Sequence, residues 1–132
     1  MLYLIDSAAI LNDELFFFDE KNRYATTAPI VAEIRDFRSR SLVDNALKNR
    51  LLEIMPPKKE FEKKILREKE KLGLRLSTAD VSLLALALEL KEKREKVIVL
   101  TDDFTVQNLL LKLGVEFDGV IRGKIKKFIS FK

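Results

Sequence analysis

The chain has 132 residues, 47% apolar and 35% charged, which is enough for one domain with a real core and too few for two. It holds no cysteine and no histidine, which excludes disulfides, a zinc ribbon, thiol chemistry and imidazole general-base catalysis within these residues. Its 25 basic and 21 acidic residues leave a formal charge of +4, a mild excess that permits a polyanionic partner without demanding one.

Leu2-Tyr3-Leu4-Ile5 is a continuously apolar run and predicts a buried central strand. It ends at Asp6-Ser7, and Ala8 to Leu11 suits a short helix. The first residues lack a basic n-region and meet an acid at position 6, so they do not read as a signal peptide. Residues 12 to 23 look irregular, with Phe16, Phe17 and Phe18 as a local plug. Pro29 suits the first turn of a helix over Pro29 to Phe37, with Ile30, Ile34 and Phe37 on one stripe. A further helix is expected over Leu42 to Asn49, and a strand over Leu51 to Met55, closed by Pro56-Pro57. Lys58 to Leu72 is a charged helix with Phe61, Ile65 and Leu72 on one side and Gly73 as its stop. Thr78 to Lys93 is apolar nearly all round and predicts a helix buried on several sides. Val97 to Leu100 is another strand, Phe104 to Leu113 a helix ended by Gly114, and Val115 to Phe117 and Val120 to Ile121 are short edge strands.

Strands separated by helices predict an α/β fold, a three-layer sandwich with a central parallel sheet. Residues 1 to 132 read as one domain. The longest apolar stretch, Val81 to Leu90, is too short to span a bilayer. In such sheets ligands gather outside the carboxyl ends of the strands, and two strands end there in acids: Asp6 after LYLI, and Asp102-Asp103 after VIVLT.

Each acid has an ordinary reading. Asp6 and Asp102 or Asp103 can cap the helices that follow, and Asp80 closes a capping-box pattern with Ser77. Glu33 lies beside an apolar stripe, which predicts partial desolvation; an ion pair with Arg35 or Arg38 and a functional role weigh evenly there. Together the acids favour one site. Several carboxylates gathered without a cation repel one another. All-oxygen ligands select Mg²⁺ or Mn²⁺ over zinc, and such ions support hydrolysis without His or Cys.

LIDSAAI, the glutamate of PIVAEI, LSTADVSLLALALEL and VLTDDFTVQN, in that order, resemble the four acidic motifs of PIN-domain nucleases over essentially the whole chain. The resemblance implies an α/β/α sandwich, an acidic pocket at the strand ends, Mg²⁺ or Mn²⁺, and cleavage of single-stranded RNA. By position, the implied catalytic and metal-binding acids are Asp6, Glu33, Asp80 and Asp103. Asp102 falls at the variable position between Thr101 and Asp103 and is a helper metal ligand. Ser7 and Thr101 are expected to hydrogen-bond the acids or a water. The last two motifs look most like the Nob group, which trims precursor small-subunit rRNA, with Gln107-Asn108 as the most telling pair; a plain solvent-facing position is the other account of that pair. Nob-type proteins usually continue into a four-cysteine zinc ribbon, which these residues lack. The second branch is the VapC toxins, held by an antitoxin and usually forming a homodimer. A PIN-like RNA-binding module without catalysis is the rival from another class. The expected location is the cytoplasm.

Basic residues between 58 and 75 are interleaved with glutamates and read as solvated helix faces. In the tail, Arg122, Lys124, Lys126 and Lys127 have no acid among them, and Phe128 adds a ring, which suits single-stranded RNA. An edge strand guarded by lysines is the competing account.

Overall fold

A computed structural model describes residues 1–12 and 16–119. The elements in chain order are β1 (Leu2–Ile5), α1 (Ser7–Leu11), β2 (Arg23–Thr26), α2 (Ala28–Ala32), α3 (Phe37–Lys48), β3 (Leu52–Ile54), α4 (Lys59–Leu72), α5 (Thr78–Glu92), β4 (Val97–Leu100), α6 (Phe104–Leu113) and β5 (Glu116–Asp118). The five strands form one sheet in the order β3-β2-β1-β4-β5, and every pairing is parallel. This is the expected three-layer arrangement.

Alternation along the strands divides the core in two. Leu2, Leu4, Val97 and Val99 face one layer, where α4, α5 and α6 contribute Ile65, Leu83, Leu86 and Leu109. Ile5 and Leu100 face the other, with Ile10 of α1 and Val43 of α3. Helix α5 is surrounded by α2, α4, α6, β1 and β4. That explains its nearly uninterrupted apolar sequence: no side of it faces water over most of its length. No helix among the described residues is long and apolar enough to cross a membrane.

Several expectations need correction. The helix expected over Pro29 to Phe37 is two helices. The first stops at Ala32, and Asp36 starts the second by accepting the Ser39 N–H at 2.9 Å. That cap fixes Phe37 as a first-turn residue, 88% exposed and not on an apolar stripe. Leu72 is likewise exposed, while Phe61 and Ile65 are buried. Strand β2 lies in a stretch where the sequence suggested only an irregular segment followed by a helix start. Its RYAT is short, and its centre is defined by pairing with both β1 and β3. The phenylalanine plug is partial: Phe18 packs edge-on to Tyr24 with centroids 5.0 Å apart, whereas Phe17 is exposed. Gly73 and Gly114 do end their helices, with φ of 63° and 74°, a left-handed backbone that glycine adopts without penalty. The edge strand at Val120 and Ile121 lies outside the described residues, as do Arg122, Lys124, Lys126, Lys127 and Phe128.

One acid inside α5 is structural. Glu89 is 5% exposed. Its carboxylate accepts the Lys58 N–H at 2.8 Å and the Lys93 Nζ at 3.0 Å. Lys58 has no capping side chain of its own, so Glu89 caps α4 from a neighbouring helix. Burial pushes the Glu89 carboxyl up, but the Lys58 hydrogen bond and then Lys93 outweigh it and hold the group below its ordinary range. Because the folded value lies below the unfolded one, this stabilisation is present above the unfolded pKa and fades as pH falls through the folded value. Glu89→Ala is expected to cost about 1.5–3 kcal/mol at neutral pH, the range for hydrogen bonds to charged groups. The difference from the parent protein should shrink in acid, as read by urea denaturation at both pH values.

Candidate active site

Strands β1 and β4 are neighbours in register, with Ile5 opposite Leu100, so their carboxyl ends coincide. Asp6 extends the pairing by donating its N–H to the Leu100 carbonyl at 3.1 Å. This brings its side chain beside Thr101, whose hydroxyl donates to Asp6 Oδ2 at 2.8 Å. Thr101 is itself wholly buried and multiply held. Its Oγ1 accepts the Asp103 N–H at 3.2 Å, and its carbonyl accepts Gln107 Nε2 at 2.8 Å. Gln107 therefore braces the end of β4, while Asn108 is exposed.

Asp6 is 4% exposed. Burial pushes its carboxyl above the ordinary aspartate range; the Thr101 hydrogen bond works against this, and the charges of Asp80 and Asp103 add to the rise. Asp80 and Asp103, 74 and 97 positions from Asp6 in the chain (80 − 6 and 103 − 6), thus stand near enough for their charges to act on Asp6 at one end of the sheet. Asp80 also completes the expected capping box, its Oδ2 accepting the Ser77 N–H at 3.0 Å while Ser77 Oγ accepts the Asp80 N–H at 3.1 Å. Asp103 caps α6 by accepting the Val106 N–H at 3.1 Å. The capping and site readings are compatible, because each cap occupies one carboxylate oxygen.

Glu33 differs from expectation. It terminates α2 and is exposed, not desolvated on a stripe. Its partner is neither arginine: Arg35 reaches the Ala32 carbonyl and Arg38 the Ile10 carbonyl. Instead Ser7, the residue after Asp6, donates to Glu33 Oε1 at 2.8 Å, which ties the glutamate to the β1 end. Asp102 is half-buried and sits against Gly119, where an added Cβ would lie 2.7 Å from its Oδ1.

The donor set suits a hard divalent ion in chemistry. Asp6 is a buried carboxylate held by a hydroxyl, and among the described residues no ion pair reaches Asp6, Glu33, Asp80 or Asp103. An oxygen-only, negatively charged set of this kind selects Mg²⁺-like ions. The placement is looser: no three described acids stand close enough to share one ion as they lie.

A buried hydroxyl cluster behind the acids was not anticipated. Thr26 donates to the Ile5 carbonyl at 2.8 Å, and Thr27 and Ser82 share a hydrogen bond at 2.6 Å. Ser82 also donates to the Ala79 carbonyl at 2.7 Å. The cluster fixes the start of α2 against the first turn of α5, next to Asp80. Its one trace in the sequence is a serine inside an otherwise apolar helix face.

An open, all-parallel α/β/α protein with coupled acids at its strand ends belongs to the class that places its ligand sites outside the carboxyl edge. Comparison narrows the class. A family described as the PIN domain of ribonuclease matches residues 3–90. Endoribonuclease Nob1 of Methanothermobacter thermautotrophicus is 33% identical over 134 residues, covering 100% of this chain and 76% of that protein. Endoribonuclease Nob1 of Archaeoglobus fulgidus is 32% identical over 126 residues, covering 96% and 72%. Ribonuclease VapC3 of Aeropyrum pernix is 38% identical over 102 residues, covering 76% and 71%. Among solved structures, VapBC2 of Rickettsia felis, crystallised with a promoter DNA fragment, superposes with a TM-score of 0.61 at 15% identity over 90% of this chain and 98% of that one. VapBC-1 of nontypeable Haemophilus influenzae superposes with a TM-score of 0.56 at 13% identity over 92% and 100%. Both likenesses concern the fold. The chain belongs to the PIN-domain family of ribonucleases.

Proposed function

We propose that residues 1–132 form one nuclease domain, a metal-dependent endoribonuclease of the Nob type that cleaves single-stranded precursor small-subunit rRNA in the cytoplasm. The observation that supports it best is the buried Asp6 carboxylate, which makes no ion pair among the described residues and whose carboxyl is pushed up by burial and then by the charges of Asp80 and Asp103. The relatives named Endoribonuclease Nob1 align over nearly all of the chain.

In this reading Asp6, Asp80 and Asp103 hold Mg²⁺ or Mn²⁺, with Asp102 as a helper. The ion, when bound, lowers the pKa of a water and stabilises charge on the phosphoryl group. Glu33, held by Ser7, accepts the proton of the attacking water. Thr101 keeps Asp6 oriented, and by donating to it opposes the rise in its pKa that burial causes. The 38% identity to Ribonuclease VapC3 supports a second reading, a toxin ribonuclease paired with an antitoxin.

The test is cleavage of a labelled single-stranded RNA spanning the 3′ end of small-subunit rRNA. Cleavage is expected with Mn²⁺ or Mg²⁺ and none with EDTA. Calorimetric Mn²⁺ binding should be present in the parent chain and lost in Asp6→Asn. Full activity in EDTA overturns the mechanism; cleavage confined to tRNA or other RNAs favours the toxin reading.

A further inference from the structure

The two sides of α4 differ in what surrounds their charges. One side faces a groove of about 340 Å³ lined by Lys59, Lys63 and Lys69 of α4 and by Thr78 and Val81 of α5. Leu66, 48% exposed, forms its apolar floor. Glu62 is the one acid in that lining. Among the described residues, none of the three lysines makes an ion pair with a carboxylate; Lys69 donates to the Leu76 carbonyl at 2.9 Å and keeps its charge.

The opposite side faces a second groove, lined by Lys64, Arg67 and Lys71. There the charge is partly cross-linked, with Arg67 and Lys71 outside any ion pair among the described residues. Lys64 pairs with Glu92 at 3.4 Å, and Glu68 with Lys112 at 3.0 Å. That groove runs toward Leu88 and Leu113, at the carboxyl ends of α5 and α6, far from the acids.

Position separates the two further. Thr78 and Val81 lie on the first turn of α5, which also carries Asp80, so the Lys69 end of the first groove reaches that turn. Lys59 lies at the other end, next to Lys58, whose N–H donates to Glu89 near the carboxyl end of α5. Lys59 and Lys63 are four residues apart, one helical turn, or about 6 Å along the axis at 1.5 Å per residue. Cations in a row, with exposed apolar surface between them, suit a flexible polyanion carrying planar bases.

We propose that the Lys59–Lys63–Lys69 groove holds the single-stranded RNA on one side of the scissile phosphate and leads it to Asp80. The proposal rests on the nuclease reading above for its destination and adds the strand's path. It also revises the reading of residues 58 to 75 as solvated faces: the lysines of one face of α4 serve as phosphate contacts, while on the other face Lys64 is tied to Glu92.

The experiment measures binding and keeps catalysis out. Asp6→Asn protein is titrated with a fluorescent twelve-nucleotide single-stranded RNA in EDTA at several salt concentrations. Adding Lys59→Ala and Lys63→Ala should weaken binding at least about fivefold at low salt and flatten the log K against log salt slope by about 1.4, or about 0.7 per phosphate contact. Adding Arg67→Ala and Lys71→Ala instead removes the same charge from the other groove, and should leave affinity within about twofold. Equal losses in the two pairs, no loss in the first, or no RNA binding at all overturns the proposal. So does displacement of the RNA by polyglutamate of equal charge at equal concentration, which would mark the groove as a general anion surface or an acidic-protein site. Because the readout is affinity, a groove that binds RNA in a protein that never cleaves it would refute the nuclease reading and leave the groove standing.

Discussion

Asp6→Asn is expected to abolish RNA cleavage and at the same time raise the melting temperature. Loss of even an outer-shell partner of a metal site costs about 10–100-fold, so loss of the buried carboxylate itself should cost at least about 100-fold. The stability gain has a separate cause. Asp6 is buried, and its carboxyl is pushed above its ordinary value first by that burial and then by Asp80 and Asp103, against the opposing Thr101 hydrogen bond. The unfolded chain therefore gives up this proton more readily than the folded one. The stability linked to Asp6 is fully present below the unfolded pKa, near the reference value of 3.8, and is lost as pH rises through the folded value. Above that value the parent protein carries a constant penalty that asparagine does not. Melting curves in EDTA should show the variant ahead at pH 7 and the gap closing toward pH 3. A variant less stable than the parent at pH 7 would show that Asp6 is structurally paired and not a strained charge awaiting a cation.

Leu83→Ala should have the largest effect on stability. Leu83 has no exposed surface and lies in the core cluster that joins α5 to the sheet and to α4. Truncating a fully buried leucine loses its transfer free energy and leaves a cavity, which together cost about 2–5 kcal/mol. Typical domains have only about 5–15 kcal/mol to lose. Urea denaturation should show a lower midpoint with an unchanged slope, since the same surface is exposed on unfolding. The change reaches function through position, because α5 presents Asp80 and holds α2 through Ser82 and Thr27. Activity at low temperature should survive, and it should be lost on heating in step with unfolding. Loss of activity while the protein is still folded would mean that the α5 core sets the geometry of the acids directly.

The sequence and the structure agree where the signal is local. Val97–Leu100 and Lys59–Leu72 begin and end within a residue of expectation, because an apolar run or a Gly-terminated stripe is written in consecutive residues. Where expectation failed, the deciding interaction was elsewhere. RYAT becomes a central strand because β1 and β3 flank it. Glu33 lies at a helix end because Asp36 starts the next helix, and it is held by a serine 26 positions earlier.

By itself the sequence determined the chemistry available to this protein. With no histidine or cysteine among these residues, and with acids after two apolar runs, it leaves any hydrolysis here to carboxylates, lysines, hydroxyls or carboxylate-bound metal, and its ordered motifs resemble one nuclease family. Only the tertiary structure decided which of those acids are strained, which are capped, and which lysines on α4 remain without a described carboxylate partner. The physical reason is range. Hydrophobic period and capping act within about one helical turn or a few strand residues, whereas the burial and charge of Asp6 depend on Thr101, 95 positions away, and on pairings that exist only once the sheet has closed.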